Sequence, residues 1–150
     1  MVFISSEILF TLMPIGAYVL AGGLKFLVNS IRFRSGAFNL IGLGGFPSTH
    51  TSIISSAFFS CFIVNNLTSV VHSLSIAITL IVIIDALDLR NRLGAIAIRV
   101  NKLSQAEDCT NDKVLRERNG HSIFEIIGGL VVGLIAASAT EIIVHYVGGL

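Results

Sequence analysis

The sequence predicts an all-α integral membrane bundle of about four transmembrane helices, with a short re-entrant or interfacial segment and one interfacial helix. Three observations predict it. Of the 150 residues, 53% are hydrophobic and only 13% are charged, against about 25% charged in a soluble domain. A chain of this length leaves much of its surface exposed and cannot hide such a composition by burial. All ten Lys and Arg residues fall in two stretches, Lys25, Arg32 and Arg34, then Arg90, Arg92, Arg99, Lys102, Lys113, Arg116 and Arg118, with apolar runs before, between and after. These basic groups interleave with Asp and Glu and lack aromatic neighbours, which argues against nucleic acid and for a membrane surface. The whole chain, 1–150, reads as a single domain with no internal repeat.

The elements follow in order. Residues 8–24 form the first span; Glu7 stands where a signal peptide would carry basic residues, so the segment reads as retained. Residues 37–46 are apolar and glycine-rich but too short to cross, which suits a re-entrant or interfacial stretch. The hydrocarbon core takes about 20 helical residues. Residues 52–64 fall short of that alone, and reach it if the helix starts at Pro47, a residue suited to a first helical turn. A tight hairpin at 65–69 leads to the third span, 70–87, interrupted only by His72 and Asp85. In residues 92–103, Leu93, Ile96, Ala97, Val100 and Leu103 recur at helical spacing, with Arg92, Arg99 and Lys102 off that stripe. That fits a helix in the headgroup layer or one packed on the bundle from outside. Residues 104–112 read as a solvated loop, and 123–147 as the last span. Cys61 lies in an apolar run and Cys109 in a polar loop, which suggests neither a disulfide framework nor a zinc site. Four spans place both basic stretches on one face and both termini on the other, and the positive-inside rule puts the basic face in the cytoplasm.

Ionisable residues in or beside apolar spans are functional candidates. Here Lys25, Arg32, His50, Asp85, Arg90, His121 and Glu125 all fall at the basic end of their spans. His121 and Glu125 are four apart and share a helix face. A carboxylate on one imidazole nitrogen fixes the tautomer and leaves the other as nucleophile or base; the plainer reading is a capped helix start with a first-turn Glu. Gly44-Gly45-Phe46-Pro47-Ser48-Thr49-His50 is a glycine-rich turn entering a helix, either an anion site or an ordinary junction capped by Ser48. Lys25 and Arg32, two helical turns apart, either share an anion or snorkel to the interface. Arg90 either clamps a phosphate, with Asp85 orienting it, or anchors the span. A stripe of Gly128, Gly129, Gly133, Ala136 and Ala137 suits close helix packing, within the chain or between chains; the oligomeric state stays open.

Together, Lys25-x6-Arg32, Pro47-Ser48-Thr49-His50 and His121-x3-Glu125 resemble the three-part signature of the type 2 phosphatidic acid phosphatase and vanadium haloperoxidase superfamily: Lys-x6-Arg-Pro, Pro-Ser-Gly-His, and Ser-Arg-x5-His-x3-Asp. The closer likeness is to its divergent membrane branch, with Gly-Gly-x-Pro-Ser-Ser-His, then Asp-x4-Arg closing a span, then Gly-His-x3-Glu. Phe33 replaces the Pro of the first motif, Thr49 replaces Gly, and Glu125 replaces Asp. Val114 and Leu115 occupy the Ser-Arg positions, so Arg90 is the first candidate to replace that arginine and Arg116 the second.

The resemblance implies a metal-independent phosphatase, or phosphotransferase, that needs no cofactor and works through a phosphohistidine. His121 would be the nucleophile held by Glu125, and His50 the acid and base. Lys25, Arg32, Gly45, Ser48 and Arg90 would bind the phosphate, with Asp85 and Thr49 behind them. A site at the membrane interface implies a lipid phosphate substrate, phosphatidyl or polyprenyl. The alternative is a non-enzymatic membrane protein that binds anions or lipid headgroups, or serves a transporter.

Overall fold

The computed structural model describes residues 6–33, 45–64, 67–106 and 114–148. Those residues are helical apart from short connections: α1 Ser6–Phe33, α2 Thr49–Ile63, α3 Ser69–Ile84, a π-helical turn Asp85–Leu89, α4 Arg90–Ala106 and α5 Ile123–Gly148. Three stretches are long and apolar enough to cross a membrane: Glu7–Ile31, Ser69–Ala106 and Ile123–Tyr146. The protein is a helical membrane bundle. Residues 37–44, most of the expected re-entrant stretch, lie outside the described residues.

In α1 the buried residues Met13, Ala17, Ala21 and Asn29 recur every four or eight positions. Lys25 falls on that same ridge, so the packing that seats the helix also turns Lys25 toward the bundle. Pro14 sits inside α1; within a membrane the freed backbone group finds other partners and such a proline is tolerated.

The inner element is α2, which packs against α1, α3 and α5, most extensively against α5. It is shorter than the expected helix from Pro47: Ser48 is its N-cap, accepting from the Thr51 N–H, and Pro47 lies one residue further out. At 1.5 Å per residue its 15 residues span only ~22 Å. Its core face is hydroxylated, with Thr51, Ser52, Ser55, Ser56 and Ser60 buried. Such polar groups are costly in an apolar interior unless bonded, and each is bonded. Ser52 donates to Ser48 O at 2.9 Å, Ser56 to Ile53 O at 2.7 Å and Ser60 to Ser56 O at 3.0 Å. Thr51 donates to Ser48 Oγ at 2.9 Å, and Ser55 reaches Gly129 O at 3.2 Å.

Small side chains on α2 meet glycines on α5. A Cβ on Gly129 would lie 2.7 Å from both Ser48 O and Thr51 Cβ, and one on Gly133 would strike Ser55 Oγ. Gly129 and Gly133 of the small-residue stripe therefore serve the seam with α2, where two backbones approach closely.

The third span and the expected interfacial helix are one continuous helical stretch. Ser69–Ala106 is 38 residues, about 57 Å if straight at 1.5 Å per residue, well beyond a core of about 30 Å. No proline interrupts residues 85–106, so nothing stops the helix where the apolar run ends. It also absorbs Ser104, Gln105 and Ala106, which the sequence assigned to a loop. The exposed side of α4 carries Leu93, Ile96, Val100 and Leu103, and its buried residues, Gly94, Ala97 and Asn101, face the segment that precedes α5.

Candidate active site

Four elements converge at one end of the bundle: the later turns of α1, the start of α2, the π-helical turn, and the start of α5 with the segment before it. Each has a local reason to place its side chain there.

The start of α5 is the most tightly bonded. Ser122 N–H donates to Glu125 Oε2 at 3.0 Å and Glu125 N–H donates to Ser122 Oγ at 3.3 Å, a reciprocal capping box. The same Oε2 accepts from His121 Nδ1 at 2.9 Å, and Oε1 accepts from Arg118 at 2.9 Å. The two readings of His121 and Glu125 thus coexist: one carboxylate caps the helix and holds the imidazole. Both side chains are buried, 7% and 9% exposed.

A carboxylate that receives three donors only accepts, so a neutral His121 carries its proton on Nδ1. Burial holds the imidazole below its ordinary pKa; the Glu125 contact opposes that shift, and the nearby charges of Lys25 and Arg90 add to it. His121 is therefore neutral near pH 7. Its Nε2 bonds to no described residue, and no buried side-chain nitrogen or oxygen among the described residues lacks a partner. Nε2 therefore keeps an opening to the outside.

The π-helical turn gives His121 its backbone anchor. Arg90 N–H pairs with Asp85 O, five residues back, instead of with Ala86 O as an α-helix would require. Ala86 O accepts from His121 N–H at 3.1 Å. The wider turn also brings side chains five apart into register, and Arg90 Nε donates to Asp85 Oδ2 at 2.5 Å. Arg90 is partly exposed and stands among the titratable groups around His50, with His121, Lys25 and Asp85.

His50, in the first turn of α2, is exposed. Beside it Thr49 Oγ1 accepts from Lys25 Nζ at 3.1 Å, which ties α1 to α2 at the site. Lys25, Thr49, His50, Asp85, Arg90, His121 and Glu125 are thus brought together. Ser48 points elsewhere: it is fully buried, its hydroxyl serves Thr51, and its N–H donates to Glu125 O at 2.8 Å. It fastens α2 to α5 directly beneath the His121–Glu125 pair. Gly45 is buried with φ +150°, a backbone conformation that favours glycine. Arg32 lies on α1, but its side chain, like Gly44, is outside the described residues.

Three residues enter the site without having been singled out from the sequence. Arg118, 65% exposed, binds Glu125 from a segment with no helical period, so no spacing rule pointed to it. Asn91 donates to His121 O at 3.3 Å. Asn101 bonds the segment that carries Arg118. The only cue was that an Asn recurs on one face of an otherwise apolar and basic helix. Among the described residues no group of three or more His, Cys, Asp and Glu side chains is placed to hold a metal ion.

The family model described as Divergent PAP2 family matches residues 6–136. No curated protein and no solved structure matches the chain.

Proposed function

The chain belongs to the divergent PAP2 family, and on that premise we propose that it hydrolyses a lipid phosphate through a phosphohistidine on His121. One observation carries the proposal: a buried imidazole with Nδ1 fixed on Glu125 and Nε2 unbonded, within electrostatic reach of His50, Lys25 and Arg90.

In the first step Nε2 of His121 attacks phosphorus, the bond to the lipid oxygen breaks, and His50 gives that oxygen a proton. In the second, His50 takes a proton from water, the hydroxide attacks phosphorus, the P–N bond breaks, and inorganic phosphate leaves with His121 restored. Lys25 and Arg90 neutralise the phosphoryl oxygens, the kind of electrostatic positioning that supplies most of the catalysis in phosphoryl transfer. Glu125 stabilises the positive charge that develops on the phosphorylated imidazole.

The lipid follows from the surroundings. The cluster lies at the end of membrane-length helices, and Ile123 and Phe124, two and three residues after His121, are 64% and 79% exposed. A headgroup phosphate reaches His121 from there while its tails stay among apolar side chains. Arg92, Arg99, Lys102, Arg116 and Arg118 near the same end support, through the positive-inside rule, the reading that this face is cytoplasmic.

The test is phosphate release by detergent-purified protein in EDTA, offered phosphatidate, phosphatidylglycerol phosphate and a polyprenyl diphosphate. The account expects release from at least one lipid and none from His121→Ala. Release that survives the loss of His121 would refute the mechanism. Vanadate binding without hydrolysis of any lipid would favour a headgroup-binding protein instead.

A further inference from the structure

Residues 114–120 deliver His121 to the site, yet they form no regular structure, and 114–118 are exposed. Such a segment has no ladder of its own to fix it, so its backbone groups must find partners elsewhere. Arg116 O and Arg118 O are bonded within the segment, and Leu115 finds its partner on one face of α4. Asn101, buried, donates from Nδ2 to Leu115 O at 2.9 Å and to Glu117 Oε1 at 2.9 Å, and its Oδ1 accepts from Leu115 N–H at 2.8 Å. One side chain thereby reads both the N–H and the C=O of a single residue, as a neighbouring strand would. Two more seats lie along the same face. A Cβ on Gly94 would strike Glu117 O, and one on Gly120 would strike the Asn91 side chain.

We propose that Asn101 is a positioning residue for the reaction: by clamping Leu115 it fixes where Arg118 meets Glu125 and where His121 presents Nε2. It touches neither His121 nor Glu125 and acts only through the segment. Asn is required because it offers a donor and an acceptor together; Asp lacks the donor and Ala lacks both. The kinetic consequence rests on the phosphatase reading, whereas the effect on the His121 ring does not.

The test uses full-length chain with ¹⁵N-labelled histidine, as wild type, Asn101→Ala, Asn101→Asp and Gly94→Ala. The readouts are the His121 ring nitrogen shifts, assigned by comparison with His121→Ala, and kcat and KM on the best lipid substrate. Wild type is expected to show one Nδ1-protonated ring. Asn101→Ala is expected to show mixed tautomers with helix content kept. Its kcat should fall about tenfold or more, the scale of a small misplacement at a reacting centre, while KM changes less than about threefold. Asn101→Asp should fall between the two.

An unchanged His121 spectrum in Asn101→Ala overturns the proposal. If Asn101→Ala does not fold, Gly94→Ala decides, since it displaces the same segment with Asn101 intact; a wild-type His121 spectrum there also overturns it. If both variants unfold, this face of α4 serves the fold alone and the proposal fails. A wild type that turns over no lipid, with the spectral change still present in the variants, would sink the phosphatase reading and leave the clamp standing.

Discussion

The two ends of the bundle carry similar ionisable residues and use them differently. At one end Lys25, His50, Asp85, Arg90, Arg118, His121 and Glu125 lie together; ion pairs join Asp85 to Arg90 and Arg118 to Glu125, and a hydrogen bond joins His121 to Glu125. At the other end Glu7, His72, Glu141 and His145 form no ion pair among the described residues. His72 bonds the carbonyl of Thr68, in its own first turn, at 3.0 Å and stands edge-on to Phe62. His145 lies beside Tyr146. An imidazole in a membrane helix is therefore not in itself a sign of chemistry. The sign is coupling, in which a ring has one nitrogen held, the other open, and charges from other helices close by.

Breaking the connected end should have the largest effect. His121→Ala is expected to lower lipid phosphate hydrolysis by about 10³-fold or more, the scale seen when a nucleophile is removed, whereas His72→Ala and His145→Ala should stay within twofold. Phosphate release assays on the three variants check this, and equal losses at both ends would erase the contrast. Glu125→Gln keeps the shape but weakens the tautomer lock and leaves Arg118 facing a neutral amide; a loss of about 10- to 100-fold is expected, mostly in kcat.

The contrast sharpens with pH. Burial and the charges of Lys25 and Arg90 hold His121 below its ordinary pKa, so the acid side of the kcat/KM profile, where His121 gains a proton and the nucleophile is lost, should lie below about pH 6.5. Lys25→Met removes a charge that disfavours the imidazolium, so the acid limb should move to higher pH. A limb that stays in place would show that the Lys25 charge does not reach the ring. The smallest effect on turnover per folded molecule should come from the α2–α5 seam. Gly133→Val places side-chain atoms against Ser55, and overpacking of this kind typically costs about 1–3 kcal/mol. A lower melting temperature in detergent, with activity retained below it, is the expected result.

The parts legible in the sequence were those written in helical period. His121 and Glu125 are one turn apart, so period alone placed them on a shared face. The spans followed from the apolar runs, although α2 proved shorter because Ser48, not Pro47, opens it. What stayed hidden departs from that period. Nothing in Asp85-Ala86-Leu87-Asp88-Leu89 distinguishes a π turn from an α turn, yet that turn aligns Arg90 with Asp85 and gives His121 the carbonyl of Ala86. Arg118 belongs to an irregular segment held by Asn101 of α4, a tertiary contact that local sequence does not encode. Ser48 matched an anion-site motif, but it is buried: its hydroxyl caps α2 through Thr51 and its amide joins α2 to α5.

The most direct test of the central claim is to look for phosphate on His121. A lipid-soluble phosphate ester labelled with ³²P, with a leaving group acidic enough to depart without a proton from His50, would be mixed with His50→Ala protein, which lacks the base for the second step, then quenched and digested. The account predicts an acid-labile, base-stable label on the peptide that carries His121, and no label when His121 is replaced as well. Phosphate release by the wild type with no label on that peptide in His50→Ala protein, or a label that persists without His121, would contradict it.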